Sequence, residues 1–212
     1  MKKITKFKPQ VPSEHYFNGY NTKERWMSYW YQINEVIKTK PKKVLEIGVG
    51  NRTVANYLKT YGIEVITADI DKNLEPDYVC SVTELSKYFV ESSFDTVLCA
   101  EVLEHIPFIY FENALYEIQK VTKQYAIISL PHFGIKFQFS FKIPLVKGQN
   151  ILIKFPLPRK HRFNGEHYWE IGKKNFPLNR ILLCFSKFFS IERYFFVPEN
   201  PYHMFFILRC RK

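Results

Sequence analysis

The chain is poor in the residues that mark several large protein classes. Its four cysteines, Cys80, Cys99, Cys184 and Cys210, lie far apart in 212 residues with no C-x-x-C pair. That spacing excludes a dense disulfide scaffold and offers no zinc-ligand pattern, so buried free thiols in a reducing compartment are expected. Long apolar runs are missing too. Met204-Phe205-Phe206-Ile207-Leu208 is among the longest, far below the ~20 residues that cross a bilayer. The basic start, Met1-Lys2-Lys3-Ile4-Thr5-Lys6, leads into no apolar stretch; no secretory leader and a cytoplasmic location are therefore expected. There are eight glycines, and no glycine-lysine-serine run exists to cradle a triphosphate. Internal repeats and low-complexity tracts are absent as well.

What is there is a large apolar fraction. Hydrophobic residues make up 46% and aromatics 17%, enough for one well-filled domain and against intrinsic disorder. The net charge of +11 is unevenly placed. Residues 1–43 hold ten Lys and Arg against three acids, whereas 44–130 hold six against thirteen. Residues 131–175 hold nine against two, and 176–212 six against two. Basic flanks around an acidic centre point either to an anionic partner or to solubility alone.

After an irregular arm broken by Pro9, Pro12 and Gly19, a helix is expected over residues 22–40, with Trp26, Trp30, Ile33 and Ile37 as its packed row and Pro41 as its stop. Strands and helices then alternate. Strands are expected at 44–47, 64–68, 78–82, 94–100 and 125–130, with helices at 51–61, 84–90 and 108–122. From Ile135 to Ile143 the apolar period becomes two, and it returns from Ile151 to Leu157 around a Lys147-Gly148-Gln149-Asn150 turn. This predicts a β-hairpin with one greasy and one basic face; an extended loop with buried aromatics is the competing arrangement. A helix at 178–189 and strands at 191–197 and 203–210 close the chain, the last two as a hairpin. The fold class is therefore α/β: a Rossmann-like, seven-stranded, mostly parallel sheet with helices on both faces and a hairpin-like insertion after strand five. One domain spans 1–212, divided into an N-terminal arm and helix (1–43), a ligand-binding core (44–130), a basic aromatic insertion (131–175) and a closing part (176–212).

The stretch Val44-Leu45-Glu46-Ile47-Gly48-Val49-Gly50-Asn51 reads as a buried strand entering a glycine turn and then a helix. Asp69 ends the next apolar run. A glycine turn after one strand and an acid after the next hold an adenosine-containing ligand: the glycines admit the ligand to the backbone, and the acid accepts from ribose hydroxyls. With two glycines only, and Arg52 where a third would fall, a nucleoside ligand without a phosphate chain is favoured over a dinucleotide.

A third motif, Phe94-Asp95-Thr96-Val97-Leu98-Cys99-Ala100-Glu101-Val102-Leu103-Glu104-His105-Ile106, follows the acid at the expected interval. Together the three motifs resemble those of class I S-adenosylmethionine-dependent methyltransferases, more narrowly a type 11-like group. The resemblance is specific over 44–106 and compatible beyond. It implies S-adenosyl-L-methionine as cofactor, with Glu46 at the methionine amino group and Gly48, Gly50 and Asn51 along the glycine turn. It places Asp69 at the ribose, Ile70, Ser81 and Val82 around the adenine, and Ala100 and Glu101 near the sulfonium. Arg52 and Ser81 depart from the family pattern, which has a third glycine and an acid there.

Methyl transfer from a sulfonium needs alignment above all, and a base only where the acceptor must lose a proton. His132, directly after Ser129-Leu130-Pro131, and His167, in the polar aromatic run 159–170, are the catalytic candidates; packing is the ordinary fate of either. Arg25 could face an anionic acceptor. Glu101, Glu104 and His105 have metal-ligating chemistry, as in some relatives with this turn, but no metal is expected. The acceptor is expected to be an anionic small molecule, sugar or lipid-linked compound. Two rivals stand: a nucleic-acid methyltransferase, which the missing N/D-P-P-Y/F signature disfavours, and a non-catalytic module whose hairpin docks a partner or membrane. Oligomeric state is not legible.

Overall fold

The computed structural model describes residues 7–141 and 149–211; the turn residues Lys147 and Gly148 lie outside that range. In chain order the elements are α1 (Lys23–Lys38), β1 (Lys43–Ile47), α2 (Thr53–Thr60), β2 (Glu64–Asp69), β3 (Tyr78–Val79), β4 (Phe94–Ala100), α3 (Phe111–Val121), β5 (Thr122–Pro131), β6 (Ile135–Phe141), β7 (Gln149–Phe155), α4 (Leu178–Phe188), β8 (Phe189–Phe196) and β9 (His203–Cys210). Seven strands form one sheet in the order β3-β2-β1-β4-β5-β9-β8, and β6 and β7 form a separate pair. The strands from β1 to β5 run parallel, while β9 is antiparallel to both β5 and β8. The expected sheet and the inserted hairpin are both present.

The period of two in each strand builds two cores. Leu45, Ile47, Val97, Cys99, Ala126, Ile128, Phe206 and Leu208 face Phe111, Leu115 and Ile118 of α3 and Ile181 and Phe185 of α4. Their sequence neighbours Val44, Leu98, Ile127, Phe205 and Ile207 face Tyr29 and Val36 of α1 and Val54 and Leu58 of α2. Every interior strand is thus covered on both sides. The cysteines are all free, three of them buried.

Three expectations require correction. The row Trp26, Trp30, Ile33, Ile37 is not the buried face of α1: both indoles are about half exposed. The helix buries Ser28, Tyr29, Gln32, Glu35 and Val36 instead. Polar partners set that rotation. Glu35 pairs with Arg193 and Lys38, Asn200 donates to the Ser28 hydroxyl at 3.1 Å, and Tyr29 donates to Asn21 at 3.3 Å. The helix expected at 84–90 is one 3-10 turn, Leu85–Lys87. There Glu117 of α3 takes the Ser86 amide at 2.7 Å, and Phe89 turns its ring onto Phe94, 5.1 Å away. Strand β3 is cut to two residues paired with Ala68 and Asp69.

Candidate active site

The parallel strands place their carboxyl ends along one edge of the sheet, and a cavity of about 630 Å³ opens there. All ten expected cofactor residues line it: Glu46, Gly48, Gly50, Asn51, Asp69, Ile70, Ser81, Val82, Ala100 and Glu101. The turn after β1 forms the floor. Gly48 has φ +81°, and a Cβ there would lie 2.3 Å from Val102 Cγ2. Only glycine fits that backbone against the segment that follows β4. Gly50, at φ +48°, packs under the Tyr16 ring. Arg52 takes the left-handed conformation itself, at φ 63°. Its guanidinium holds it there, donating to the Leu74 carbonyl at 2.6 and 3.0 Å and to the Glu75 carbonyl. A side-chain anchor therefore stands in for the third glycine.

Asp69 ties the floor to β2. One carboxylate oxygen accepts from the Val49 amide and the other from the Asp71 amide, both at 2.9 Å. Burial raises its pKa, against those two hydrogen bonds. Glu46 is buried beneath the turn, with one carboxylate oxygen unpartnered; burial pushes its pKa to about 8. Asn51 is committed to the scaffold, donating to Asn21 at 2.7 Å and to the Tyr29 hydroxyl at 3.0 Å. The Ser81 hydroxyl pairs with Thr83 at 2.8 Å.

The opposite end of the cavity holds acids and imidazoles. Glu101, directly after β4, has φ 54°, a costly conformation for a side-chain-bearing residue and one often found at functional sites. Ser129 of β5 donates to it at 2.8 Å, and His203 Nε2 of β9 lies 3.6 Å from its other oxygen. Burial pushes Glu101 up to about 7 and His203 down to about 3. Glu104 is fully buried with both oxygens unpartnered. Burial, with the nearby Glu101 charge next, raises its pKa well above the usual range. Glu104, His105 and His167 each bring a ligand atom within 4.8 Å of the others, a set with the chemistry to hold a cation. It contains His167 in place of Glu101 from the expected triplet. His105 is fixed by Gln10 from the N-terminal arm and by the Glu166 carbonyl, and burial takes it to about 4.

His167 lines the cavity and His132 does not. The His167 Nδ1 lies 3.3 Å from both Glu170 Oε1 and the Tyr202 hydroxyl. The segment that carries it is pinned from both sides: the Tyr168 amide donates to the Glu104 carbonyl at 2.9 Å, and the buried Trp169 indole donates to the Ile106 carbonyl at 3.1 Å. The His132 ring instead packs edge-on against Phe196 at 5.0 Å. Its carbonyl accepts from Lys154, and burial lowers the ring to about 4. His203 and Tyr202 are site residues that sequence reasoning missed. The arm closes the cavity mouth with Tyr16 and Tyr20, whose rings meet at 5.1 Å, and Arg25 lies 4.0 Å over Tyr20.

Comparison with known proteins bears on the domain and its fold. A family described as a methyltransferase domain matches residues 45–130. No curated protein matches the sequence. Among solved structures, the chain is similar to the Burkholderia thailandensis 1,6-didemethyltoxoflavin-N1-methyltransferase with bound 1,6-didemethyltoxoflavin and S-adenosylhomocysteine. The TM-score is 0.62 at 16% identity, covering 94% of this chain and 85% of that one. It is also similar to the N-methyltransferase NodS of Bradyrhizobium japonicum (TM-score 0.59, 8% identity, 91% and 90% covered). Magnesium protoporphyrin IX methyltransferase of Synechocystis gives a TM-score of 0.58 at 13% identity, with 89% and 84% covered. Residues 45–130 thus match a methyltransferase domain, and the whole chain shares its fold with methyltransferases of known structure.

Proposed function

We propose that the cavity binds S-adenosylmethionine against Gly48, Gly50 and Asp69 and methylates a small acceptor carrying negative charge: a metabolite, a sugar or a lipid-linked intermediate. The residues present fit that cofactor. The unpartnered Glu46 oxygen suits a buried ammonium, whose positive charge would return the carboxyl to its ionised form. The space over Gly48, which a Cβ would fill, suits a ligand lying on the backbone. When bound, the cofactor supplies an electrophilic methyl group and a neutral thioether leaving group.

The observation that carries the reading is that this cofactor floor shares one cavity with His167, whose ring Glu170 contacts from behind the cavity wall. Glu170 fixes the His167 ring through Nδ1, so the other ring nitrogen can take a proton from an acceptor hydroxyl or amine as its lone pair attacks the methyl carbon. Burial raises the Glu170 carboxyl, but the His167 contact and Lys173 outweigh it and keep the acid ionised. Arg25, lining the same cavity, is the cation offered to the acceptor. His132 has no part in this reading.

The test is transfer of labelled methyl to a panel of carboxylated and phosphorylated acceptors. His167→Asn should lower kcat by about 100-fold or more with cofactor binding intact, and Arg25→Ala should raise KM for the acceptor. Full turnover in His167→Asn would remove the base from the account.

A further inference from the structure

The hairpin β6–β7 stands apart from the seven-stranded sheet and is built as a two-sided ribbon. Its register pairs Ile135 with Phe155, Phe137 with Ile153 and Phe139 with Ile151. Residues paired directly across an antiparallel ladder share a face, so these six side chains form one continuous apolar surface. Each of the six leaves 45–57% of its area in water. A contiguous exposed patch of this kind marks a contact surface. It is also held in a fixed position. Lys154, on the other face of the ribbon, donates to the His132 and Pro201 carbonyls at 2.5 Å. Gly134, at the base, lets the Phe155 carbonyl approach where a Cβ would lie 2.4 Å from it.

Charge identifies the occupant. The insertion, residues 131–175, carries nine Lys and Arg against two Glu. Arg159, Lys160 and Arg162, just beyond the ribbon, are exposed, while Lys136, paired with Lys154, belongs to its opposite face. Apolar and aromatic side chains among cations match an anionic bilayer: the hydrocarbon side chains enter the headgroup boundary while the ammonium and guanidinium groups meet lipid phosphates. A second copy of the chain would bring two surfaces of the same sign together, which the charge opposes. We infer that the apolar face of the β6–β7 hairpin docks the protein on an anionic lipid surface.

The experiment is co-sedimentation of the full chain with phosphatidylcholine vesicles and with vesicles containing about one-third phosphatidylglycerol. Wild type should sediment with the anionic vesicles alone and be released as salt is raised. Phe137→Ser/Phe139→Ser/Ile153→Ser should lose binding by roughly a hundredfold or more. Arg159→Glu/Lys160→Glu, which leaves the apolar face untouched, should weaken it by more than the roughly fivefold per charge expected for neutralisation. Wild type left in the supernatant with anionic vesicles would overturn the inference. So would sedimentation-velocity evidence of a dimer that the triple variant converts to monomer. S-adenosylmethionine binding, measured on the same preparations, should be equal in all variants. Its absence in wild type would count against the proposed function and not against docking.

Discussion

Arg52 shows how one residue can replace the conformational freedom of another. It holds a left-handed backbone, at φ 63°, that a glycine would adopt at no steric cost. The compensation is the pair of carbonyls it engages in the Leu74–Glu75 turn. Two substitutions separate these effects. Arg52→Ala keeps the backbone cost and loses the anchor, whereas Arg52→Gly loses the anchor and removes the cost. Thermal unfolding should rank wild type above Gly and Gly above Ala, the last two about 1 kcal/mol apart; alanine equal to wild type would mean that the anchor contributes nothing. Gly48 and Gly50 were legible because a left-handed turn at the end of β1 demands glycine, and Asp69 because it closes the next apolar strand. His203 was not, because its role comes from pairing with Pro131 across β5 and β9. In the sequence it is simply the first residue of an apolar strand.

Among the elements, α1 departs most from its sequence pattern. Its sequence pattern makes Trp26, Trp30, Ile33 and Ile37 the packed row, next to another face that carries Ser28, Tyr29, Gln32, Glu35 and Val36. The structure buries the other because Arg193, Asn200 and Asn21 supply partners for Glu35, Ser28 and Tyr29, and such partners come from distant segments that no local pattern reveals. Val36→Ala should therefore destabilise by roughly 1–3 kcal/mol through a core cavity, while Trp30→Ala should stay within about 0.5 kcal/mol. Denaturant midpoints in the opposite order would restore the aromatic face to the core. The sheet itself was readable because strands buried on both faces must be apolar throughout, and the hairpin because its period changes abruptly to two. The turn at Leu85–Lys87 was not, since the acid that takes its amide belongs to α3.

For the whole molecule, the site's buried ionisable groups give the unliganded protein a definite pH response. Glu46 and Glu101 hold their protons up to about 8 and about 7, from an ordinary value of 4.5. The stability tied to their raised pKa values is fully present below about 4.5 and is lost as pH rises through the folded values. His105 and His203 are lowered from 6.5 to about 4 and about 3, so their contribution is present above 6.5 and is lost as pH falls. Stability without ligand should thus decline between pH 6.5 and 8.5. Glu46→Gln should remove part of that decline, by a few kcal/mol at most, and change little near pH 4.5. A melting temperature that rises from pH 6.5 to 8.5 would contradict the assigned burial. A site whose acids are costly to ionise when empty is suited to a cationic ligand, and the cofactor's ammonium and sulfonium meet that condition.

The most direct measurement is calorimetric titration of the folded wild-type protein and of Asp69→Ala with S-adenosylmethionine. The account predicts saturable binding at one site in wild type and its loss in the variant, with the variant's fold intact by circular dichroism. Absence of binding to the wild-type protein, or equal affinity in Asp69→Ala, would contradict the claim that the glycine turn and Asp69 form the cofactor site.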